Sequence, residues 1–68
     1  MNTAQLLKAY RLERQITQRQ LAEAVGVDPI TVSRWERGAT TPSDLCRVKV
    51  ARVLGVHPNS LLPVEVSS

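Results

Sequence analysis

Four side chains rich in hydrogen-bond donors lie close together in the middle of this chain: Gln18, Arg19, Arg34 and Arg37. The hydroxyls of Thr17, Thr31 and Ser33 lie among them, and Thr40 and Thr41 follow directly. Guanidinium, amide and hydroxyl groups recognise anions and the edges of planar polar molecules; without a nucleophile and a base they break no bonds. Catalytic residue types are scarce. His57 is the only histidine and Cys46 the only cysteine, so neither a disulfide framework nor a cysteine-based zinc site can form. A Cys46–His57 catalytic pair would need a pocket that so small a fold does not provide. We expect no metal, no cofactor and no enzymatic activity: the chemistry is recognition.

Nine Lys and Arg against six Asp and Glu give a net charge of +3. That permits a polyanionic partner without proving one. With 68 residues, 43% hydrophobic and 22% charged, the chain reads as one small soluble domain. Trp35 and Tyr10 are its only aromatics, so the core must be aliphatic. The N-terminus shows no basic segment followed by an apolar run, and no stretch approaches the roughly 20 apolar residues that span a bilayer. No signal peptide, no membrane contact and a cytoplasmic location are expected.

The elements that position these donors follow from caps and breakers. A first helix is expected from about Thr3 to Arg14, with Thr3 as its N-cap and Leu7, Tyr10 and Arg11 on one face. Thr17 and Gln20 form a T-x-x-Q capping box opening a second helix, whose buried stripe is Leu21, Ala22 and Val25. Gly26 closes it in a left-handed conformation. Asp28 then caps a third helix with Pro29 in its first turn, running to Arg37, with Val32, Trp35 and Glu36 sharing a face and Gly38 ending it. A fourth helix spans about Ser43 to Leu54, where Leu45, Val48, Ala51 and Leu54 recur every third residue, with Val50 and Val53 beside them. His57 and Pro58 open a short fifth helix carrying Leu61 and Leu62. Two short helices joined at a glycine make a helix-turn-helix, which holds its second helix where it can enter the DNA major groove. The expected domain is residues 1–62, with 63–68 a flexible tail.

The order L-x-x-x-R, T-Q-x-x-L-A-x-x-x-G-V, V-S-x-W-E-x-G, P-S and L-G-V resembles the phage repressor and Cro type of helix-turn-helix protein, the XRE family. The resemblance covers about residues 3 to 62. It implies an all-α, compact five-helix bundle of the lambda-repressor-like type, bacterial or phage-encoded and nucleoid-associated, binding a pseudo-palindromic operator as a dimer. By the same resemblance Pro29, Ile30, Thr31, Ser33 and Arg34 face the groove, and Arg37, Thr40 and Thr41 lie near the DNA backbone. Gln18 would contact a phosphate and brace the start of the recognition helix. Arg11 and Glu36 would pair, tying the first helix to the end of the recognition helix. Two departures stand out. Pro29 and Ile30 replace polar base readers, making contact there apolar, as with a thymine methyl. Asp44 and Arg47 stand where the fourth helix is usually apolar.

Each residue has a plainer reading. Arg34 suits bidentate pairing with guanine, and otherwise contacts a phosphate or water. Ser33 and Thr31 can meet bases, phosphates or water. Thr17 is first a cap; with Gln18 and Arg19 it sits where a helix N-terminus attracts phosphate. Trp35 is a packing residue rather than a base stacker, and Ala22 and Gly26 are structural. Leu61 and Leu62 cannot both turn inward, so one should add apolar area to a self-complementary patch with Val56 or Val64. These readings lead to a sequence-specific regulator of transcription, a repressor or small controller protein, whose partners are double-stranded DNA and a second copy in a weak dimer reinforced on DNA. The alternative is a protein-interaction module or antitoxin component that uses the same shape to bind a protein partner.

Overall fold

The computed structural model describes residues 1–63, and its described elements are all helical. They are α1 (Thr3–Glu13), α2 (Gln18–Val25), α3 (Pro29–Arg37) and α4 (Asp44–Leu54), followed by a single 3-10 turn over Pro58–Leu61. The expected five-helix bundle is therefore four α-helices and a turn. The four residues Pro58–Leu61 are too few to close a ladder of i to i−4 bonds.

Local chemistry explains most boundaries. Asn2, not Thr3, caps α1: its Oδ1 accepts from the Gln5 N–H at 2.8 Å, and the Gln5 side chain accepts from the Asn2 N–H at 3.0 Å. The helix begins at Thr3 as expected, and only the capping residue differs. Thr17 and Gln20 form the reciprocal box at α2, at 3.0 and 2.9 Å. Gly26 has φ 91°, and the N–H of Val27 donates back to the Ala22 carbonyl at 3.0 Å. This left-handed corner turns the chain from α2 directly into α3. Asp28 occupies the α3 cap position but its carboxylate makes no capping bond; its main-chain carbonyl accepts from Thr31 at 2.9 Å instead. Ser43 caps α4 through the Cys46 N–H at 3.2 Å, and His57 Nδ1 accepts from the Asn59 N–H at 3.1 Å.

One core holds these elements together. Leu7, Leu21, Ala22, Val32, Val50, Ala51, Leu54 and Leu61 are fully or almost fully buried, with Val25 and Trp35 at its edge. α2 packs on α3, α1 lies across α3, and α4 joins α2 to the terminal turn. Leu6 is buried as well.

The expected inner face of α4 is corrected. Leu45 is 65% exposed and Val48 36%. A three-residue repeat falls back by about 60° at every step of a 3.6-residue helix, so Leu45 and Leu54 end on opposite sides. The stripe that reaches the core runs through Cys46, Val50, Ala51 and Leu54. Val64 and the expected tail beyond Pro63 lie outside the described residues.

Candidate nucleic-acid interface

α3 divides cleanly by face. Val32 and Trp35 point into the core, and Pro29, Ile30, Arg34 and Arg37 are exposed. Ser33 is half-buried on the outward side; Thr31 is half-buried beside the core face, the least outward of the five expected base contacts. At about 100° per residue, Ile30, Ser33, Arg34 and Arg37 form one contiguous strip. Arg37, expected near the backbone, shares that strip one turn beyond Ser33 and two turns beyond Ile30. Among the described residues neither Arg34 nor Arg37 forms an ion pair, so both guanidinium forks are free. Ile30, in the first turn of α3 ahead of both, is 62% exposed, an apolar knob in a polar strip.

Behind this strip lies a charged anchor. Arg11 Nε donates to Glu36 Oε2 at 2.5 Å and its Nη2 to Oε1 at 2.9 Å, a bidentate fork. Arg11 Nη1 also donates to the Ile16 carbonyl at 2.8 Å. The two side chains are only 9% and 3% exposed. Burial pushes the Glu36 carboxyl up, but hydrogen bonds from Arg11 and Gln18, with the charges of Arg11 and Lys8, outweigh it and hold its pKa below the usual range. The same bond to Glu36 raises the Arg11 pKa against a smaller opposing effect of burial. Both groups are charged.

Gln18 completes the anchor. Its Nε2 donates to Glu36 Oε1 at 3.0 Å, so it braces the last turn of α3 rather than the first, which corrects the expectation. No spacing signal marks this contact, since the partners are 18 residues apart. The Gln20 N–H is taken by the Thr17 hydroxyl and the Leu21 N–H by the Thr17 carbonyl. The N–H groups of Gln18 and Arg19 remain at the positive end of α2, open to an anion. Thr17 itself is committed as the cap at both its hydroxyl and its N–H. Arg19 Nε lies 3.4 Å from Glu23 Oε1 in a pair exposed at 81% and 68%, too solvated to hold it firmly.

The other expected site residues are placed as follows. Ala22 is fully buried on the helix that packs against α3, and Gly26 forms the corner between them. Thr40 and Thr41 are exposed on the loop after Gly38, where the N–H of Ala39 and of Thr40 turn back to the Arg34 carbonyl. They line a cleft of about 310 Å³ with Asn2, Trp35, Arg47 and Leu62. Arg47, one of the two departures, pairs with Asp44 at 2.9 Å while its Nε is buried with no partner among the described residues. Leu61 is completely buried and Leu62 is 39% exposed; as a core residue Leu61 offers no contact to a second copy. Among the described residues no group of three His, Cys, Asp or Glu side chains could hold a metal ion, and no helix is long and apolar enough to cross a membrane.

Comparison with known proteins agrees with this geometry. The chain is 40% identical over 50 residues to an uncharacterized HTH-type transcriptional regulator of Methanothermobacter thermautotrophicus, covering 74% of this chain and 72% of that protein. It is 31% identical over 70 residues to repressor protein C2 of Salmonella phage P22, covering 98% of this chain but only 32% of the repressor, so it spans about a third of that protein. The fold matches the crystal structure of the P22 c2 repressor in complex with synthetic operator 9T, with a TM-score of 0.87, 29% identity, and 91% and 94% of the two chains covered. Residues 7–61 match the family described as helix-turn-helix, and the chain belongs to that family, in its XRE-type branch.

Proposed function

We propose that this chain is a transcriptional regulator that inserts α3 into the major groove of a pseudo-palindromic operator and acts by occupying it. The carrying observation is that the Arg11–Glu36–Gln18 anchor is consumed internally while Arg34 and Arg37 are exposed and form no ion pair among the described residues. Two guanidinium forks and an apolar Ile30 on one outward strip match the base edges, thymine methyls and phosphates that line a groove. The phage repressor whose fold it shares was crystallised with operator DNA, which supports the same use here.

In this reading Arg34 pairs with a guanine edge, Ile30 and Pro29 make apolar contact with a thymine methyl, and Ser33 and Thr31 adjust to neighbouring bases. The open N–H groups of Gln18 and Arg19, with Arg37, Thr40 and Thr41, hold phosphates and set the register. One α3 spans only a few base pairs, so specific binding takes two copies on half-sites about 34 Å apart.

The test is a titration of selected and random duplexes at several salt concentrations. Duplexes selected from a random pool should bind on the order of 10³-fold tighter than unselected ones, with both affinities falling as salt rises. Equal affinity for every sequence, or no binding at low salt, would replace this reading with the protein-interaction or antitoxin alternative.

A further inference from the structure

The leading end of α3 carries a carboxylate that does not cap its own helix. Asn2, Thr17 and Ser43 each accept a backbone N–H through the side chain at the start of their helices. Asp28 holds the same position at α3, in extended backbone, yet its carboxylate makes no capping bond. Aspartate is among the best N-caps, so residue type does not explain the missing bond. Asp28 is exposed and forms no ion pair among the described residues. Pro29 and Ile30 follow it, both exposed, with side chains that carry no polar atom; Pro29 lacks even an N–H. The Thr31 N–H is taken by the Asp28 carbonyl. Of the three exposed residues that open α3, only Asp28 has a polar side chain, and it only accepts.

A carboxylate on a face that meets DNA selects by what it excludes. Phosphate oxygens repel it. In the major groove thymine O4, guanine O6 and N7 and adenine N7 are acceptors as well; only N4 of cytosine and N6 of adenine donate. Adenine sets its N7 beside the amine, which suits an amide rather than a carboxylate, whereas cytosine presents the amine alone. We propose that Asp28 accepts a hydrogen bond from the N4 amine of a cytosine and so fixes one base pair of each half-site, a role that rests on α3 entering the groove. Asp28 stands two residues before Ile30, so this cytosine neighbours the thymine whose methyl Ile30 touches. Where no amine meets it, the carboxylate opposes binding. It thereby lowers affinity for unselected DNA, which Arg37 and the other phosphate contacts raise for every sequence.

Selection from a random duplex pool by wild type, Asp28→Asn and Asp28→Ala, followed by affinities at several salt concentrations, tests this role. Asparagine caps a helix as well as aspartate does, but its amide donates as well as accepts. Wild type should prefer cytosine to thymine at one position by on the order of tenfold. Asp28→Asn should take either base there, since its amide can donate to thymine O4, and Asp28→Ala should show no preference. The position read by Arg34 should keep its preference in both variants. Both should also bind random DNA several-fold tighter than wild type at low salt, a gain that fades as salt rises. A cytosine analogue without the amine should weaken wild type and leave Asp28→Ala unaffected.

Thermal melts followed by circular dichroism keep a capping role apart from a reading one. With no capping bond to lose, Asp28→Ala should melt close to Asp28→Asn. If instead it melts well below Asp28→Asn while all three proteins select the same sequence, Asp28 is a cap and the reading role is overturned. A cytosine preference unchanged in both variants overturns it as well and leaves the regulator reading standing. A wild type that selects no sequence removes both.

Discussion

Arg11 grips Glu36 with two parallel hydrogen bonds, Nε to Oε2 at 2.5 Å and Nη2 to Oε1 at 2.9 Å, across 25 residues of sequence. This contact fastens α1 to the last turn of α3 from behind, and Gln18 adds the N-terminus of α2 through the same carboxylate. Three helices thus share one buried anion. The angle at which α3 stands out from the body is set there, together with the Gly26 corner at its other end. An ion pair so buried is weak evidence of net stability but strong evidence of positioning, because neither charge can be satisfied elsewhere.

Glu36→Gln should therefore destabilise the domain by about 3 kcal/mol, the low end for a broken buried pair, since glutamine keeps one acceptor for Arg11. Adding Arg11→Met should recover part of that loss by removing the uncompensated charge. Recovery stays incomplete because the Ile16 carbonyl loses the donor from Arg11. Denaturant titrations of the two single variants and the double variant measure the coupling; strictly additive losses would deny it.

The same anchor sets a pH dependence. The folded-state pKa of Glu36 is depressed, so its contribution to stability is complete above the unfolded carboxylate value of about 4.3 and is lost as pH falls through the folded value below it. Arg11 keeps its charge throughout. The melting temperature of the wild type should drop more steeply below about pH 4 than that of Glu36→Gln, which has no carboxylate to protonate there. Parallel acid limbs for the two proteins would show that Glu36 carries no such linkage.

Ala22 is fully buried in the helix that packs on α3. Ala22→Leu forces added methylenes into a closed junction and should cost about 1–3 kcal/mol or more, with α3 displaced. A thermal melt indistinguishable from wild type would place that residue outside the junction.

Much of this was legible in the sequence where one short-range rule acts alone. Thr17 with Gln20, the glycine corner at Gly26 and Pro29 in the first turn each declare a boundary within four residues, and the structure has them there. Val32 and Trp35 identify the buried side of α3, so the outward strip follows by subtraction. Elsewhere two candidates competed or the decisive contact was distant. Asn2 and Thr3 can both cap a helix; the reach of Gln5 back to Asn2 decides. On α4 the repeat of three imitated a core stripe, although its drift of about 60° per step carries Leu45 and Val48 away from the side that reaches the core. The bond from Gln18 to Glu36 depends on how α2 and α3 cross, which spacing does not encode.

Arg34 decides whether the outward strip of α3 reads bases. Arg34→Ala and Arg37→Ala should be compared with wild type on the preferred duplex, on its single-base variants and on random DNA at fixed salt. Arg34→Ala should lose about 1–3 kcal/mol on the preferred duplex, with discrimination relaxed at one base position in each half-site. Arg37→Ala should weaken all duplexes alike, as the loss of a phosphate contact does. Equal losses on specific and random DNA for Arg34→Ala, with every base preference intact, would contradict the account.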